Sequence, residues 1–184
     1  FIPVDTEAVS PETLSLLKKW APEHSLDAIV SADGDGDRPL LADERGVPLR
    51  GDLIGLITAN FLGAGVVVTP VTSNSGIEAN GSFEVVRTKV GSPFVIAGMA
   101  DALSAGKNGV MGFEANGGLL TASSFTLNGR PLSPLPTRDS FLPVLAVLLL
   151  SSEQKKPLSQ IAAAYNLPVA AADRLENFAQ EKSA

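Results

Sequence analysis

The chain has 184 residues, 45% of them hydrophobic, with a formal net charge of −6. That acidity argues against nucleic acid or an anionic membrane as the main partner, and the absence of cysteine excludes a disulfide framework or a thiolate metal site and fits a cytoplasmic location. The longest apolar run, Phe141 to Leu150, contains Pro143 and is too short to span a bilayer.

The first residues, Phe1-Ile2-Pro3-Val4, open without an initiator Met and without the basic and apolar regions of a signal peptide. They read as the end of a strand in a fragment of a longer protein. Ser10-Pro11-Glu12 marks a helix start, with Ser as N-cap and Pro in the first turn. Leu14, Leu16, Leu17 and Trp20 give that helix an apolar face. Residues 26–31 read as a buried strand, followed by the acidic segment Asp33-Gly34-Asp35-Gly36-Asp37-Arg38. Leu40–Ala42 and Val47–Leu49 flank a turn at 43–46, a candidate domain boundary.

From Gly51 a helix is expected to Phe61 or Leu62, stopped by Gly63 and Gly65. Val66–Val71 has the β-branched run of a buried parallel strand. A polar turn at 72–76 leads to a short helix at Ile77, then a strand at 83–88 and a helix from Phe94 to Ser104. Strands at 109–113 and Leu119–Phe125 enclose the loop Glu114-Ala115-Asn116-Gly117-Gly118. The connection is too short for a crossover, so this pair is expected to be antiparallel. Helices at Arg138–Leu150 and Leu158–Tyr165 follow, and 170–184 reads as helix or linker. The alternation predicts an α/β fold with a mixed β-sheet layered with helices.

The acidic segment carries the strongest chemical signal. Three carboxylates at alternate positions repel one another unless a cation draws them together, and the intervening glycines permit the tight fold this needs. Oxygen ligands of this kind select Mg²⁺, Ca²⁺ or Mn²⁺ over zinc. Arg38 beside them is suited to holding phosphate. A solvated acidic turn and a calcium loop are the competing readings. Asp33, Asp35, Asp37 and Glu44 do fall at EF-hand ligand positions, but Arg38 stands where that loop needs glycine, and a strand precedes it rather than a helix. A haloacid-dehalogenase-like phosphatase would use Asp33 as nucleophile and Asp35 as acid/base, yet no downstream acidic pair is evident. A non-catalytic metal-binding module is the remaining alternative.

Asp-Gly-Asp-Gly-Asp-Arg resembles, residue for residue, the magnesium loop of the phosphohexomutases, the family of phosphomannomutases and phosphoglucomutases. The resemblance implies that Asp33, Asp35 and Asp37 bind Mg²⁺ and that Arg38 assists catalysis. Glu114-Ala115-Asn116-Gly117 is similar to the family's Glu-x-Ser-Gly sugar-binding loop, with Asn116 in place of Ser and Gly118 where some members have histidine; Glu114 and Asn116 are therefore expected to bind substrate hydroxyls. Lys89, in Thr88-Lys89-Val90-Gly91, matches a lysine of the active cleft and is the expected general acid/base.

By the same resemblance residues 1–46 are the C-terminal part of domain 2 with its metal loop. Residues 47–168 form domain 3, and 169–184, including Arg174, lead as a hinge toward domain 4. The implied protein moves a phosphoryl group between hexose 6-phosphate and hexose 1-phosphate through a phosphoserine and a bisphosphate intermediate. Its partners would be mannose or glucose phosphates. No serine in this chain matches the phosphoserine motif, so the fragment alone is expected to be inactive. Nothing in the residues sets an oligomeric state.

Overall fold

A computed structural model of the chain describes residues 4–6 and 8–170. The expected strand end at residues 1–3 and the hinge beyond residue 170, with Arg174, lie outside the described residues.

Helix α1 (Pro11–Glu23) starts as its sequence requires, with the Ser10 side chain accepting a hydrogen bond from the Thr13 N–H at 3.2 Å. Its buried Leu17 packs on Leu40 and Ala42. Those residues belong to the second strand of an antiparallel hairpin, β1 (Ile29–Ala32) and β2 (Pro39–Ala42), paired from Ile29 opposite Ala42 to Ala32 opposite Pro39. The acidic segment is the tip of this hairpin.

The remainder is built on a five-stranded sheet. In chain order its surroundings are α2 (Gly51–Leu62), β3 (Val66–Pro70), β4 (Glu84–Thr88), α3 (Ser92–Ser104), β5 (Val110–Phe113), β6 (Leu119–Thr121), β7 (Phe125–Leu127), β8 (Arg130–Leu132), β9 (Leu135–Asp139), α4 (Phe141–Gln154) and α5 (Leu158–Ala163). The strand order is β4-β3-β5-β6-β9. β3 is parallel to β4 and β5, and β6 is antiparallel to both β5 and β9, so β9 runs in the direction of β3, β4 and β5. The mixed sheet expected from the sequence is present, including the antiparallel β5–β6 pair.

Side chains alternate across the sheet, as the period of two requires. Val66, Val68 and Val110 turn to Val95, Met99 and Ala102 of α3 on one face. Val67, Met111, Phe113 and Leu119 turn to Leu56, Ala59 and Leu62 of α2 on the other. Helix α2 has a second apolar face, where Ile54 and Ile57 meet Val144 and Val147 of α4 and Leu158 and Ile161 of α5. A helix covered on both sides must be apolar nearly all round, which is why its sequence lacks a clear polar stripe. Gly55 sets the approach distance, since a Cβ there would stand 2.3 Å from the Phe113 ring.

Four expected elements differ. The strand expected as buried over 26–31 spans Ile29–Ala32, and none of its residues is buried, with Val30 turned to solvent. Residues 119–125 are not one strand: β6 ends at Thr121, and Phe125 opens a separate hairpin, β7–β8, turned by Asn128 and Gly129, both at positive φ. Arg138 does not begin a helix. It lies in edge strand β9, and α4 starts at Phe141, where the Asp139 side chain accepts the Phe141 N–H at 2.8 Å. Around Ile77 the chain makes turns rather than a helix, because the Asn74 side chain takes the Gly76 N–H at 2.8 Å.

Candidate metal and sugar site

Parallel strands deliver the loops that follow them to one end of a sheet. Here the loop of Glu114 follows β5, Ser140 follows β9 and Lys89 follows β4, so all three belong to the same end. The acidic hairpin tip is fastened there, with the Ser140 hydroxyl donating to the Gly36 carbonyl at 2.8 Å.

Within the tip, Asp33, Asp35 and Asp37 each offer a carboxylate oxygen, and these oxygens lie within 4.8 Å of one another. Asp33 is buried, Asp35 exposed and Asp37 half-buried. The Arg38 backbone N–H donates to Asp33 Oδ1 at 3.2 Å, and Arg38 Nε donates to Asp33 Oδ2. Burial alone would push the Asp33 carboxyl up, but these contacts with Arg38 outweigh it and hold the group below the ordinary carboxylate range. Asp37 behaves oppositely. Burial raises it, Arg138 pulls it down, and the charges of Asp35 and Asp33 raise it further, leaving it above the ordinary range.

A divalent cation fits this donor set. Asp37 Oδ1 is buried with no hydrogen bond and only a long ion pair to Arg38 Nε at 3.6 Å, a costly state for a carboxylate oxygen that a hard cation would relieve. The arrangement is less suited to a nucleophilic Asp33, because both of its oxygens are already engaged by Arg38.

The loop of Glu114 is closed on itself. The Glu114 N–H donates to the Gly118 carbonyl at 3.0 Å and the Gly117 N–H to the Glu114 carbonyl at 3.0 Å. Asn116 Oδ1 accepts the Gly118 N–H, also at 3.0 Å, and the Thr6 hydroxyl donates to the Asn116 carbonyl at 3.1 Å. Asn116 thus has a structural task in the loop besides any contact with substrate. The N-terminus of α2 presses against the same loop: a Cβ on Gly51 would be 2.1 Å from the Gly117 nitrogen, while Gly117 itself, at φ +92°, faces Pro39 of β2. Backbone this close is open only to glycine. It brings the Glu114 loop directly against the strand that leaves the acidic tip.

Arg138 joins the two loops. Its Nη2 is 2.6 Å from Asp37 Oδ2, and its Nη1 is 4.0 Å from Glu114 Oε2. Sequence reading missed this residue by assigning it to a helix start. Lys89, in contrast, is exposed, and its ammonium lies 5.7 Å from the centroid of the Phe94 ring rather than on a triad carboxylate. It follows β4, an outer strand of the sheet, whereas Arg138 lies in the outer strand on the opposite side. The structure therefore gathers Asp33, Asp35, Asp37, Arg38, Glu114 and Asn116 around one place and sets Lys89 apart from them.

Residues 50–167 match the family model for phosphoglucomutase/phosphomannomutase, alpha/beta/alpha domain III. The chain belongs to this family. It is 57% identical over 183 residues to a phosphomannomutase of Sinorhizobium fredii, covering 100% of this chain and 39% of that protein. It is 50% identical over 162 residues to a phosphomannomutase of Salmonella muenchen, covering 88% of this chain and 33% of the relative. This phosphohexomutase chain thus spans a third to two-fifths of the curated relatives it matches. A crystal structure of a phosphoglucomutase/phosphomannomutase family protein from Burkholderia thailandensis superposes with a TM-score of 0.63 at 19% identity, over 90% of this chain and 34% of the other. That likeness establishes the shared fold. The family expected from the acidic motif and the α/β class expected from the alternating elements are both found.

Proposed function

We propose that this chain supplies the metal loop and the sugar-binding loop of a hexose-phosphate mutase, which moves a phosphoryl group between the 6- and 1-positions of mannose or glucose. The observation that carries the reading is the convergence of three aspartate oxygens within 4.8 Å, tied through Arg138 to the loop of Glu114. Names of relatives at 57% and 50% identity support it.

In this reading Asp33, Asp35 and Asp37 hold Mg²⁺, which would offset negative charge on the transferring phosphoryl group. Arg38 fixes Asp33 and lends positive charge beside it. Glu114 accepts hydrogen bonds from sugar hydroxyls, and Asn116 keeps the loop in the shape that presents it. Lys89 is the proposed proton carrier; from its position beyond β4 it would have to leave the Phe94 ring and extend into the cleft to act. The division into residues 1–46, 47–168 and 169–184 belongs to the same proposal, as does a cytoplasmic location. Among the described residues no helix is long and apolar enough to cross a membrane.

The decisive measurement is a calorimetric titration of Mg²⁺ into the 184-residue chain. One site is expected, and Asp35→Ala should abolish it. Unchanged binding in that variant would remove the metal assignment. With hexose bisphosphate as activator, mannose 1-phosphate conversion by this chain should stay at background, because the phosphoserine donor of the resemblance is not among its residues.

A further inference from the structure

Arg138 is a cation set between two anionic groups that a bound ligand would redistribute. Its side chain is 30% exposed, so a solute can reach it, and its ion pair with Asp37 is short. Space for its stem exists because residue 118 is glycine: a Cβ there would stand 2.9 Å from Arg138 Cδ and 3.2 Å from Cγ. The guanidinium therefore lies between Asp37 of the acidic tip and the Glu114 loop. In this arrangement its charge is balanced mainly by Asp37, whose second oxygen is buried without a hydrogen bond. A divalent cation on the triad would draw on the charge of Asp37 and leave the Arg138 fork short of an anion. The group best matched to that planar fork, at a site facing a phosphorylated sugar, is a phosphate.

We propose that Arg138 is a phosphate-binding residue of this site, held by Asp37 until a cation engages that carboxylate. The ligand class is a phosphomonoester, with the sugar turned toward Glu114. The proposal rests on the reading of the triad as a cation site, and it adds a phosphate contact to that site, contributed by edge strand β9. It also gives a reason for metal and sugar phosphate to bind cooperatively, since each removes a competitor for the other's partner.

The test uses the 184-residue chain with glucose 1-phosphate, inorganic phosphate and unphosphorylated glucose as probes, followed by ligand-observed NMR. Asp37→Asn removes the charge that retains Arg138, so without Mg²⁺ it should bind glucose 1-phosphate about ten-fold more tightly than the parent, the size expected of one charged hydrogen bond. Asp37→Asn combined with Arg138→Gln should lose that gain, and Asp37→Asn with Arg138→Lys should keep part of it. Inorganic phosphate should follow glucose 1-phosphate, and glucose should not respond. No gain in Asp37→Asn, a gain that survives Arg138→Gln, or a gain shared by glucose would each overturn the proposal. Gly118→Ala, which crowds the Arg138 stem while leaving every charge in place, should weaken glucose 1-phosphate binding in the Asp37→Asn background; unaltered binding there counts against the proposed position of the guanidinium. The Mg²⁺ titration of the parent and Asp35→Ala reads the cation site separately, so failure of one assignment is distinguishable from failure of the other.

Discussion

The hairpin that carries the acidic tip has two strands and, among the described residues, a buried core of Leu17, Leu40 and Ala42. The loop of Glu114 springs from a five-stranded sheet whose two faces are covered by α2 and α3. The more densely charged half of the site thus stands on the slighter support. Its three carboxylates oppose convergence, and of the two strands beneath them only β2 is buried throughout, with Leu41 seated among Ile54, Val147 and Leu158 of the larger region. Rigidity at the tip is then added from the larger region beyond this packing, at a few contacts: Arg138 on Asp37, the Ser140 hydroxyl on the Gly36 carbonyl, Pro39 against Gly117, and Glu44 beneath α5. A strong chemical motif and a strong scaffold need not be the same stretch of chain.

The largest expected effect would break the comparison from the scaffold side. Phe113 is fully buried, packs on α2 across Gly55 and immediately precedes Glu114. Phe113→Ala should lower unfolding free energy by about 3–5 kcal/mol, from lost transfer and cavity terms. Denaturant melts with an intrinsic tryptophan signal from Trp20 and with far-ultraviolet circular dichroism should both shift if the hairpin depends on the sheet. A Trp20 transition left in place while the circular dichroism transition moves would show that the hairpin stands alone.

A smaller change isolates one of the fastenings. Ser140→Ala removes the hydroxyl that holds Gly36 and should cost about 1 kcal/mol, with the loss felt in Mg²⁺ affinity more than in the melting of the sheet. Equal affinity in the variant and the parent would mean that the tip keeps its shape without this bond.

Much of the candidate site was legible in the sequence because its signals are local. The alternation of aspartate and glycine around Asp35 is contained in a single hairpin tip, and Glu114-Ala115-Asn116-Gly117 is contained in one loop. Strands β3 and β5 announced themselves by β-branched or apolar runs between glycines. Arg138 was not legible. Leu135-Pro136-Thr137-Arg138-Asp139 is an exposed edge strand with a proline and no alternation, and only its distant partner β6 makes it a strand. The Asn128-Gly129 turn of β7–β8 carried a recognised hairpin signal that the reading of 119–125 as one strand passed over. The Gly51–Gly117 contact joins residues far apart in the chain, and no window of sequence contains it. The contact of Lys89 with Phe94 is local, but the place of β4 at the sheet edge opposite β9, which separates Lys89 from Arg138, is set by strand order that its local motif does not encode.

The smallest expected effect sharpens the comparison at the tie farthest from the chemistry. Glu44 lies in the turn after β2, and its Oε2 accepts the Ser159 N–H of α5 at 3.2 Å. Burial works against the ionised form, but hydrogen bonds from the Ser159 side chain and backbone outweigh it, so the carboxyl is held below its ordinary range. A carboxyl with a depressed folded-state pKa contributes stability above its unfolded value and loses it as pH falls through the folded one. Glu44→Gln should therefore be less stable than the parent at neutral pH, by less than about 1 kcal/mol given that a good part of the side chain meets solvent. The difference should begin to shrink as pH falls below about 4.3, the ordinary value that the unfolded chain keeps, and vanish once the pH passes the lower folded value and the native carboxylate is neutral as well. Urea melts of both proteins at intervals from pH 7 to pH 3 would follow it. A difference that stays constant over that range would assign the effect to shape rather than charge, and the hairpin would then be joined to α5 by packing alone.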